Sequence, residues 1–172
     1  MLFVRRAEQE DYLDIAIIHF ASWKSAHENL FPESYVNAEN MLSAKIKMWK
    51  NILLHPKITV LIAYSTHENK DKIVGFISYF NIGRHYEITT LYVLPEYHKS
   101  GIGTQLMEDA SKDILQTTPN PRLSFWILKE NTTTIRVATE YGFEFSGETS
   151  EVSYEGLTIT DVKMVKILGE TA

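Results

Sequence analysis

Two glycines near the middle of the chain have the spacing of a main-chain anion site. Gly101 and Gly103 follow a β-type run that ends at Val93, and they open an amphipathic helical pattern. Free N–H groups at a helix start, together with the helix dipole, favour an anionic ligand. Glycine lets the main chain approach that ligand closely because no Cβ is in the way. The segment 98–104 therefore predicts a cradle for a diphosphate.

Two other phosphate-binding motifs fit this segment poorly. The dinucleotide fingerprint has a third glycine at the position where this chain has Leu106. The nucleoside-triphosphate loop has Lys-Ser or Lys-Thr after its second glycine, and neither pair follows Gly103. A tight turn without a ligand is the remaining alternative, and the elements around the segment decide between the two.

Composition excludes several classes of protein. Of the 172 residues, 44% are hydrophobic and 23% are charged, which is ordinary for a globular protein with a buried core. The net charge of −5 disfavours a nucleic-acid partner, which needs a basic face. Because cysteine is absent, disulfides, thiolate metal ligands and a cysteine nucleophile are excluded.

Neither a metal nor a membrane partner is expected. The six histidines are scattered, without the spacing of a helical zinc site. The chain has no run of about 20 apolar residues that could span a membrane, and its N-terminus leads into a strand rather than a signal sequence. The expected location is the cytoplasm.

Hydrophobic periodicity predicts one mixed α/β domain over residues 1–172, in the order β-α-α-β-β-β-α-β-α-β-β. The predicted strands are Leu2–Arg6, Ile58–Tyr64, Ile73–Asn81, His85–Val93, Leu123–Leu128, Phe143–Val152 and Leu157–Ile167. The predicted helices run from Glu8 to about Trp23, from Tyr35 to Leu54, from Gly101 to before Pro119, and from Asn131 to Tyr141. No linker or internal repeat divides the chain.

Two motifs carry a family resemblance. His98-Lys99-Ser100-Gly101-Ile102-Gly103 matches the pattern of Gln or Arg, two residues, Gly, one residue, then Gly or Ala, except at His98. Asn131, followed by a helix that ends at Gly142-Phe143, is the second motif. With both, the chain resembles the GNAT superfamily of acetyl-CoA-dependent N-acyltransferases over nearly its whole length. The departure at His98 alters one side-chain contact and leaves the main-chain cradle intact.

The resemblance implies a fold and a cofactor. It implies a mostly antiparallel twisted sheet of about seven strands that splays in the middle, with about four flanking helices. It implies acetyl-CoA as co-substrate, with the pyrophosphate on the N–H groups between His98 and Thr104 and the pantetheine arm along the preceding strand edge. The cofactor-binding residues predicted in this way are Leu91, Tyr92, Val93, His98, Lys99, Ser100, Gly101, Ile102, Gly103, Thr104 and Asn131.

Glu87 is the predicted catalytic residue. Alternation along the strand predicts that His85, Glu87, Thr89 and Leu91 share one face. In many family members a Glu at this strand position acts as the base on the acceptor amine. Such a base is needed because an alkylammonium resembling lysine, with a pKa near about 10.4, cannot attack until it loses a proton. The alternative is a solvated carboxylate, or one paired with Arg84.

The residue that would protonate the leaving group departs from the family pattern. Family members often have a tyrosine at the position of Ala138, and Tyr141 is predicted to pack against the sheet instead. A thiol with a pKa near about 8.5 is already a reasonable leaving group. The family supplies an oxyanion donor from a main-chain N–H near Tyr92-Val93.

Three residues of the first helical region are predicted to line the acceptor pocket. Trp23, His27 and Phe31 present aromatic faces that suit a cationic or apolar acceptor. The alternative is that Trp23 and Phe31 belong to the hydrophobic core.

The predicted function is transfer of an acetyl group from acetyl-CoA to a primary amine of a small molecule or peptide, by direct attack in a ternary complex. A second hypothesis is a non-catalytic acyl-CoA-binding or regulatory domain, which Ala138 favours and Glu87 disfavours. The terminal strands leave a homodimer open.

Overall fold

The computed structural model describes residues 1–169. The strands are β1 Leu2–Arg6, β2 Ile58–His67, β3 Lys70–Asn81, β4 His85–Val93, β5 Arg122–Leu128, β6 Glu144–Tyr154 and β7 Leu157–Ile167. The α-helices are α1 Tyr12–His27, α2 Glu33–Glu39, α3 Leu42–Ile52, α4 Ile102–Leu115 and α5 Thr132–Glu140.

The seven strands form one sheet in the order β1-β2-β3-β4-β5-β7-β6. Every pair is antiparallel except β4 and β5, which are parallel. The parallel pairing covers only His85–Ile88 against Arg122–Phe125, and the two strands then diverge. The mostly antiparallel sheet with a splayed middle is therefore confirmed.

Helices cover both faces of the sheet because its strands are apolar on both sides. On one face, Ile15 of α1 and Trp49 of α3 pack on β2 and β3 through Ile62 and Phe76. On the other face, α4 and α5 pack on the sheet through a larger set of buried residues, which includes Leu106. No helix within residues 1–169 is long and apolar enough to cross a membrane.

The predicted helix over residues 35–54 is two helices, because the chain extends at Asn40 and Met41. Asn40 is buried, and its Nδ2 donates to the carbonyl of Phe20 at 3.0 Å. The predicted turn over 65–72 is also shorter than expected. Only Glu68 and Asn69 leave the ladder, both at positive φ (50° and 60°), which is the geometry of a two-residue hairpin.

The first helix starts later than predicted, at Tyr12. The carboxylate of Asp11 accepts two hydrogen bonds from Arg5, at 2.8 and 3.0 Å, and a third from the N–H of Glu8 at 2.7 Å. These bonds fix residues 9–11 as a single 3₁₀ turn. α1 then continues to His27, one turn beyond the predicted end.

A buried histidine joins α1 to α3. His19 is 7% exposed, and its Nδ1 accepts a hydrogen bond from Trp49 Nε1 at 3.1 Å. Burial, followed by the charges of Lys45 and His27, lowers the pKa of His19 to about 3. The imidazole is therefore neutral in the folded protein, while in the unfolded chain it binds a proton below about pH 6.5.

This difference predicts an acid sensitivity. Between pH 7 and 4 the unfolded state takes up a proton at His19 that the folded state does not, so the free energy of unfolding falls by up to about 3 kcal/mol. The variant His19→Asn keeps an acceptor for Trp49 and cannot titrate. We expect its free energy of unfolding, measured with urea, to be lower at pH 7 but to change less between pH 7 and pH 4.

The exposed His67 is the matched control. We expect His67→Asn to retain the pH dependence of the unsubstituted protein. A His19→Asn curve that remains as steep as that of the control would contradict the assignment of this sensitivity to His19.

Candidate active site

An open cleft of about 660 Å³ lies where β4 separates from β5. Its walls come from α1, from the end of β4 and the loop after it, and from the first turns of α5. The lining residues are Ser22, Ser25, Ala26, Asn29, Leu30, Leu91–Val93, Tyr97–Lys99, Gly101–Thr104, Glu130–Thr134, Arg136, Val137 and Glu140.

Most of the predicted cofactor-binding residues line this cleft. The exception is Ser100, whose Oγ donates to the carbonyl of Tyr97 within the loop. Sequence reasoning missed the α1 wall and the three threonines that follow Asn131. Ser22, Ser25 and Asn29 recur at helical spacing over the last turns of α1 and just beyond its end, and that polar stripe is the signal that could have located the wall.

The loop before α4 presents a row of unpaired amides. Lys99 and Gly101 have positive φ, at 60° and 82°, and Gly101 is the N-cap of α4. Within residues 1–169, the N–H groups of residues 99–104 have no hydrogen-bond acceptor in the protein, and the first helical bond here runs from Gln105 to Gly101. Convergent amides at the start of a 14-residue helix form a site for an anion.

The end of β4 offers free main-chain groups to the same cleft. The N–H of Leu94 donates to Val74 of β3 at 2.9 Å. Because main-chain groups alternate in direction along a strand, those of Leu91 and Val93 point away from β3, into the splay. The carbonyl of Val93 accepts from His98 Nε2 at 2.8 Å and from Ser22 Oγ at 3.4 Å. His98 therefore fixes the loop to the strand end.

Asn131 caps α5. Its side-chain oxygen accepts from the N–H of Thr134 at 3.2 Å, so this oxygen is engaged in the helix start. The residue still lines the cleft, directly across from the cradle. The two motifs singled out in the sequence thus face each other across one space.

Glu87 is half-buried on β4, before the splay, and it does not line the cleft. The prediction that Glu87 and Leu91 share one face is wrong. A bulge at Thr89 shifts the pairing of β4 with β3 by one residue, between Ser78 and Tyr79 of β3. Leu91 packs with Ile88 in the core beneath α4, while Glu87 lies on the opposite face. Within residues 1–169 no hydrogen bond or ion pair engages the Glu87 carboxylate.

His85 and Ser124 lie beside Glu87. His85 Nε2 and Ser124 Oγ are 2.7 Å apart. Burial, followed by the charges of Arg122 and Lys163, lowers the pKa of His85, and Glu87 opposes this shift. His85 is therefore a neutral neighbour of Glu87 at pH 7.

Tyr141 packs against the sheet, as predicted. Its ring lies 4.1 Å from the Nζ of Lys166, which also donates to the Tyr141 carbonyl at 2.5 Å. Ala138 is fully buried on the face of α5 that packs on the sheet. Neither position presents a hydroxyl to the cleft, so the family's usual proton donor is absent from its expected place.

Tyr92 lines the cleft from the α1 side of the sheet. Its ring lies 4.9 Å from that of His19, and burial, followed by the charge of Asp161, raises the pKa of Tyr92 to about 12. Its phenol therefore stays protonated at neutral pH.

The predicted acceptor residues form an aromatic stack beside the cleft rather than lining it. The rings of Trp23 and His27 are 3.9 Å apart and nearly parallel, and Phe31 follows at 5.8 Å. Phe31 is 9% exposed and packs on Leu128 of β5, so its side chain belongs to the core. No group of three or more potential metal ligands occurs among the residues that the structure describes.

Comparison with known proteins agrees with this geometry. The chain is 29% identical over 181 residues to the uncharacterized N-acetyltransferase YuaI of Bacillus subtilis (strain 168), with 98% of each chain covered. Its fold is similar to that of the PaiA N-acetyltransferase from Thermoplasma acidophilum in complex with coenzyme A. The TM-score of this match is 0.80 and the sequence identity is 19%, and the match covers 97% of this chain and 99% of the other.

A second solved structure gives the same result. Arabidopsis thaliana NAA60, in complex with a bisubstrate analogue, matches with a TM-score of 0.73 and 16% identity, covering 99% of this chain and 100% of the other. The model of the family described as "Acetyltransferase (GNAT) family" matches residues 22–143, which is more than half of the chain. The chain therefore belongs to the GNAT family of acetyltransferases, as the cradle and the Asn131 motif indicate.

Proposed function

We propose that the protein transfers the acetyl group of acetyl-CoA to a primary amine of a small molecule or peptide. The observation that carries this proposal is the row of free amides at residues 99–104, which faces the same cleft as the free main-chain groups of Leu91 and the free N–H of Val93. The amides suit a pyrophosphate, and a free strand edge suits an extended pantetheine arm with its two amide groups.

The donor would lie across the splay. In this arrangement the amides of 99–104 hold the pyrophosphate and exposed Lys99 adds positive charge, while Leu91 and Val93 pair with the arm. The Val93 carbonyl already accepts bonds from His98 and Ser22, so we expect the arm to use the Val93 N–H and the groups of Leu91. The thioester would then lie near Tyr92, where β4 leaves β5.

The chemistry is direct attack by the amine. The acceptor ammonium loses a proton, and we propose that Glu87 takes it, directly or through water. The amine nitrogen then forms a bond to the thioester carbon, the C–S bond breaks, and the thiolate leaves. The second amine proton goes with the thiolate, supplied through solvent because residue 138 is alanine. A thiol pKa near about 8.5 makes this possible without a dedicated acid.

A non-catalytic acyl-CoA-binding domain is the second candidate, because Ala138 is fully buried and offers no proton donor. The two candidates differ in thiol release from acetyl-CoA, measured over alkylamines, amino acids, aminoglycosides and peptide N-termini. Turnover on any of them supports the enzyme, and binding of acetyl-CoA without turnover on every one supports the second candidate. A cytoplasmic location, one domain over residues 1–172 and a homodimer stay predictions.

Gly101→Ala and Gly156→Ala separate backbone strain from ligand binding. Both glycines have a φ of +82°, and an added Cβ would meet nothing within 4 Å at either. Each alanine should therefore lower the free energy of unfolding by about 1–2 kcal/mol through strain alone. We expect only Gly101→Ala to weaken CoA binding in calorimetry as well, by about tenfold, because it displaces the cradle amides. Equal affinities in the two variants would exclude the cradle.

Glu87→Gln tests the proposed base. The substitution keeps the shape of the side chain and removes its capacity to accept the amine proton. We expect kcat to fall by about 10²–10⁴-fold with the Kd of acetyl-CoA unchanged. The matched control is Glu144→Gln, at an exposed position on β6, which should leave both quantities unaltered. Parallel losses in kcat and affinity would assign Glu87 a structural role.

A further inference from the structure

A half-buried carboxylate without a cation lies on the α1 side of the sheet. Asp161 of β7 stands directly across from Leu128 of β5, so both side chains point to the same face. Leu128 packs there with Phe31 and Ile159. Within residues 1–169, no ion pair or hydrogen bond engages the Asp161 side chain. A carboxylate placed in this way is stabilised by a cation that the described protein does not supply.

His27 offers a lone pair at the same place. Its Nδ1 lies 2.6 Å from the carbonyl of Trp23 and must donate, because a carbonyl only accepts. Burial lowers the pKa of His27, so the ring is neutral and its Nε2 is an acceptor. Within residues 1–169, no hydrogen bond engages Nε2, and this nitrogen is not fully buried.

Phe31 brings Asp161 and His27 together. Its ring lies 5.8 Å from that of His27, and it packs on Leu128, the β5 neighbour of Asp161. Burial, the largest cause, raises the pKa of Asp161, and only a positive charge beside it, such as a proton on His27, would lower that pKa. Neither nearby lysine compensates Asp161. The Nζ of Lys45 lies 5.4 Å from the ring of Trp23, and Lys163 is held by Glu148 at 2.8 Å.

The pair lies close to the reacting end of the cleft. Asp161 contributes to the raised pKa of Tyr92, which lines the cleft on β4, and to that of Tyr35 on α2. Ala26, which precedes His27, lines the cleft, and so does Glu130. The N–H of Lys129, beside Glu130, donates at 2.9 Å to the carbonyl of Thr160, which precedes Asp161. The carboxylate therefore lies beside the cleft, next to the aromatic stack of Trp23, His27 and Phe31. Aromatic faces beside a carboxylate suit a cationic group.

We propose that Asp161 and the Nε2 of His27 bind the ammonium group of the acceptor amine. The inference rests on the proposed function and names its substrate class, an alkylamine that is protonated in solution. Asp161 offsets the positive charge, and the imidazole lone pair accepts one of the three N–H groups. A neutral arylamine lacks the charge that this site selects.

The test is binding of n-butylammonium to the CoA complex, followed by NMR of the histidine side chains at pH 7.5. We expect the His27 ring signals to shift on titration, and Asp161→Asn to raise the Kd by about 10- to 100-fold. Asp161→Glu, which keeps the charge, should retain part of the affinity. His27→Asn keeps a donor for the Trp23 carbonyl and deletes Nε2, so a smaller rise is expected.

Glu151→Gln is the matched control. Glu151 follows Ser150, the β6 neighbour of Asp161, and therefore points to the other face of the sheet. The Kd of n-butylammonium for Glu151→Gln should equal that for the unsubstituted protein. The Kd of neutral 1-pentanol should likewise be the same for Asp161→Asn and the unsubstituted protein. Two results would overturn the proposal. One is that folded Asp161→Asn binds n-butylammonium as tightly as the unsubstituted protein. The other is that the unsubstituted protein shows no binding at about 100 mM n-butylammonium, the limit of the titration.

Kinetics then distinguishes this proposal from the proposed function. If n-butylamine is acetylated, Asp161→Asn should raise its KM and leave the KM of acetyl-CoA unchanged. Binding that depends on Asp161, without thiol release on any amine, would support the site and refute acetyl transfer. Acetylation of n-butylamine with an unchanged amine KM in Asp161→Asn would support acetyl transfer and refute the ammonium site at Asp161.

Discussion

The parallel pairing of β4 with β5 stops after four residues on each strand, and the functional geometry depends on that interruption. A strand inside a sheet normally satisfies its main-chain groups on both sides. From Thr89 onward, β4 is bonded only to β3, so its other edge is available to a ligand. The loop that follows delivers the amides of residues 99–104 to the same opening. A ligand that needs both an anion site and a strand partner finds them in one place.

The bulge at Thr89 decides what each side of the opening contains. Before it, Glu87 points to the α1 side; after it, Tyr92 points there, while Leu91 enters the core beneath α4. Without the extra residue, strict alternation would place Leu91 on the face of Glu87. The bulge thus places the predicted base and Tyr92 on one face and leaves the apolar residues to anchor the strand.

Much of this could be predicted from the sequence because local patterns carried it. The glycine spacing, the Asn131 loop and the alternating strands are short-range signals, and they located the cradle and all seven strands. The face of Leu91 was predicted wrongly because a bulge is set by the pairing of β4 with β3, which a single strand does not reveal. The break at Asn40 depends on a hydrogen bond to Phe20, twenty residues earlier, and is equally invisible locally.

The proposed acceptor side was the least predictable part, for the same reason. Asp161 lies in a strand with ordinary alternation, and nothing adjacent to it in sequence marks it. Its surroundings come from α1, α2, β4 and β5, which only the folded topology brings together. His27 was predicted from its aromatic neighbours, yet what distinguishes it is the Trp23 carbonyl that fixes its tautomer.

The charges on the α1 side are arranged in an order that fits amine chemistry. At the rim, Asp161 is an uncompensated carboxylate, which favours a positively charged group beside it. Farther in, the ring of His19 on α1 lies 4.9 Å from that of Tyr92 on β4, and both side chains are uncharged at neutral pH. In the proposed reaction, an amine that moved from Asp161 toward Tyr92 would pass from surroundings that stabilise its ammonium form to surroundings that penalise charge. Desolvation along that path would lower the pKa of the amine, so the proposed base would have less to do in removing its proton.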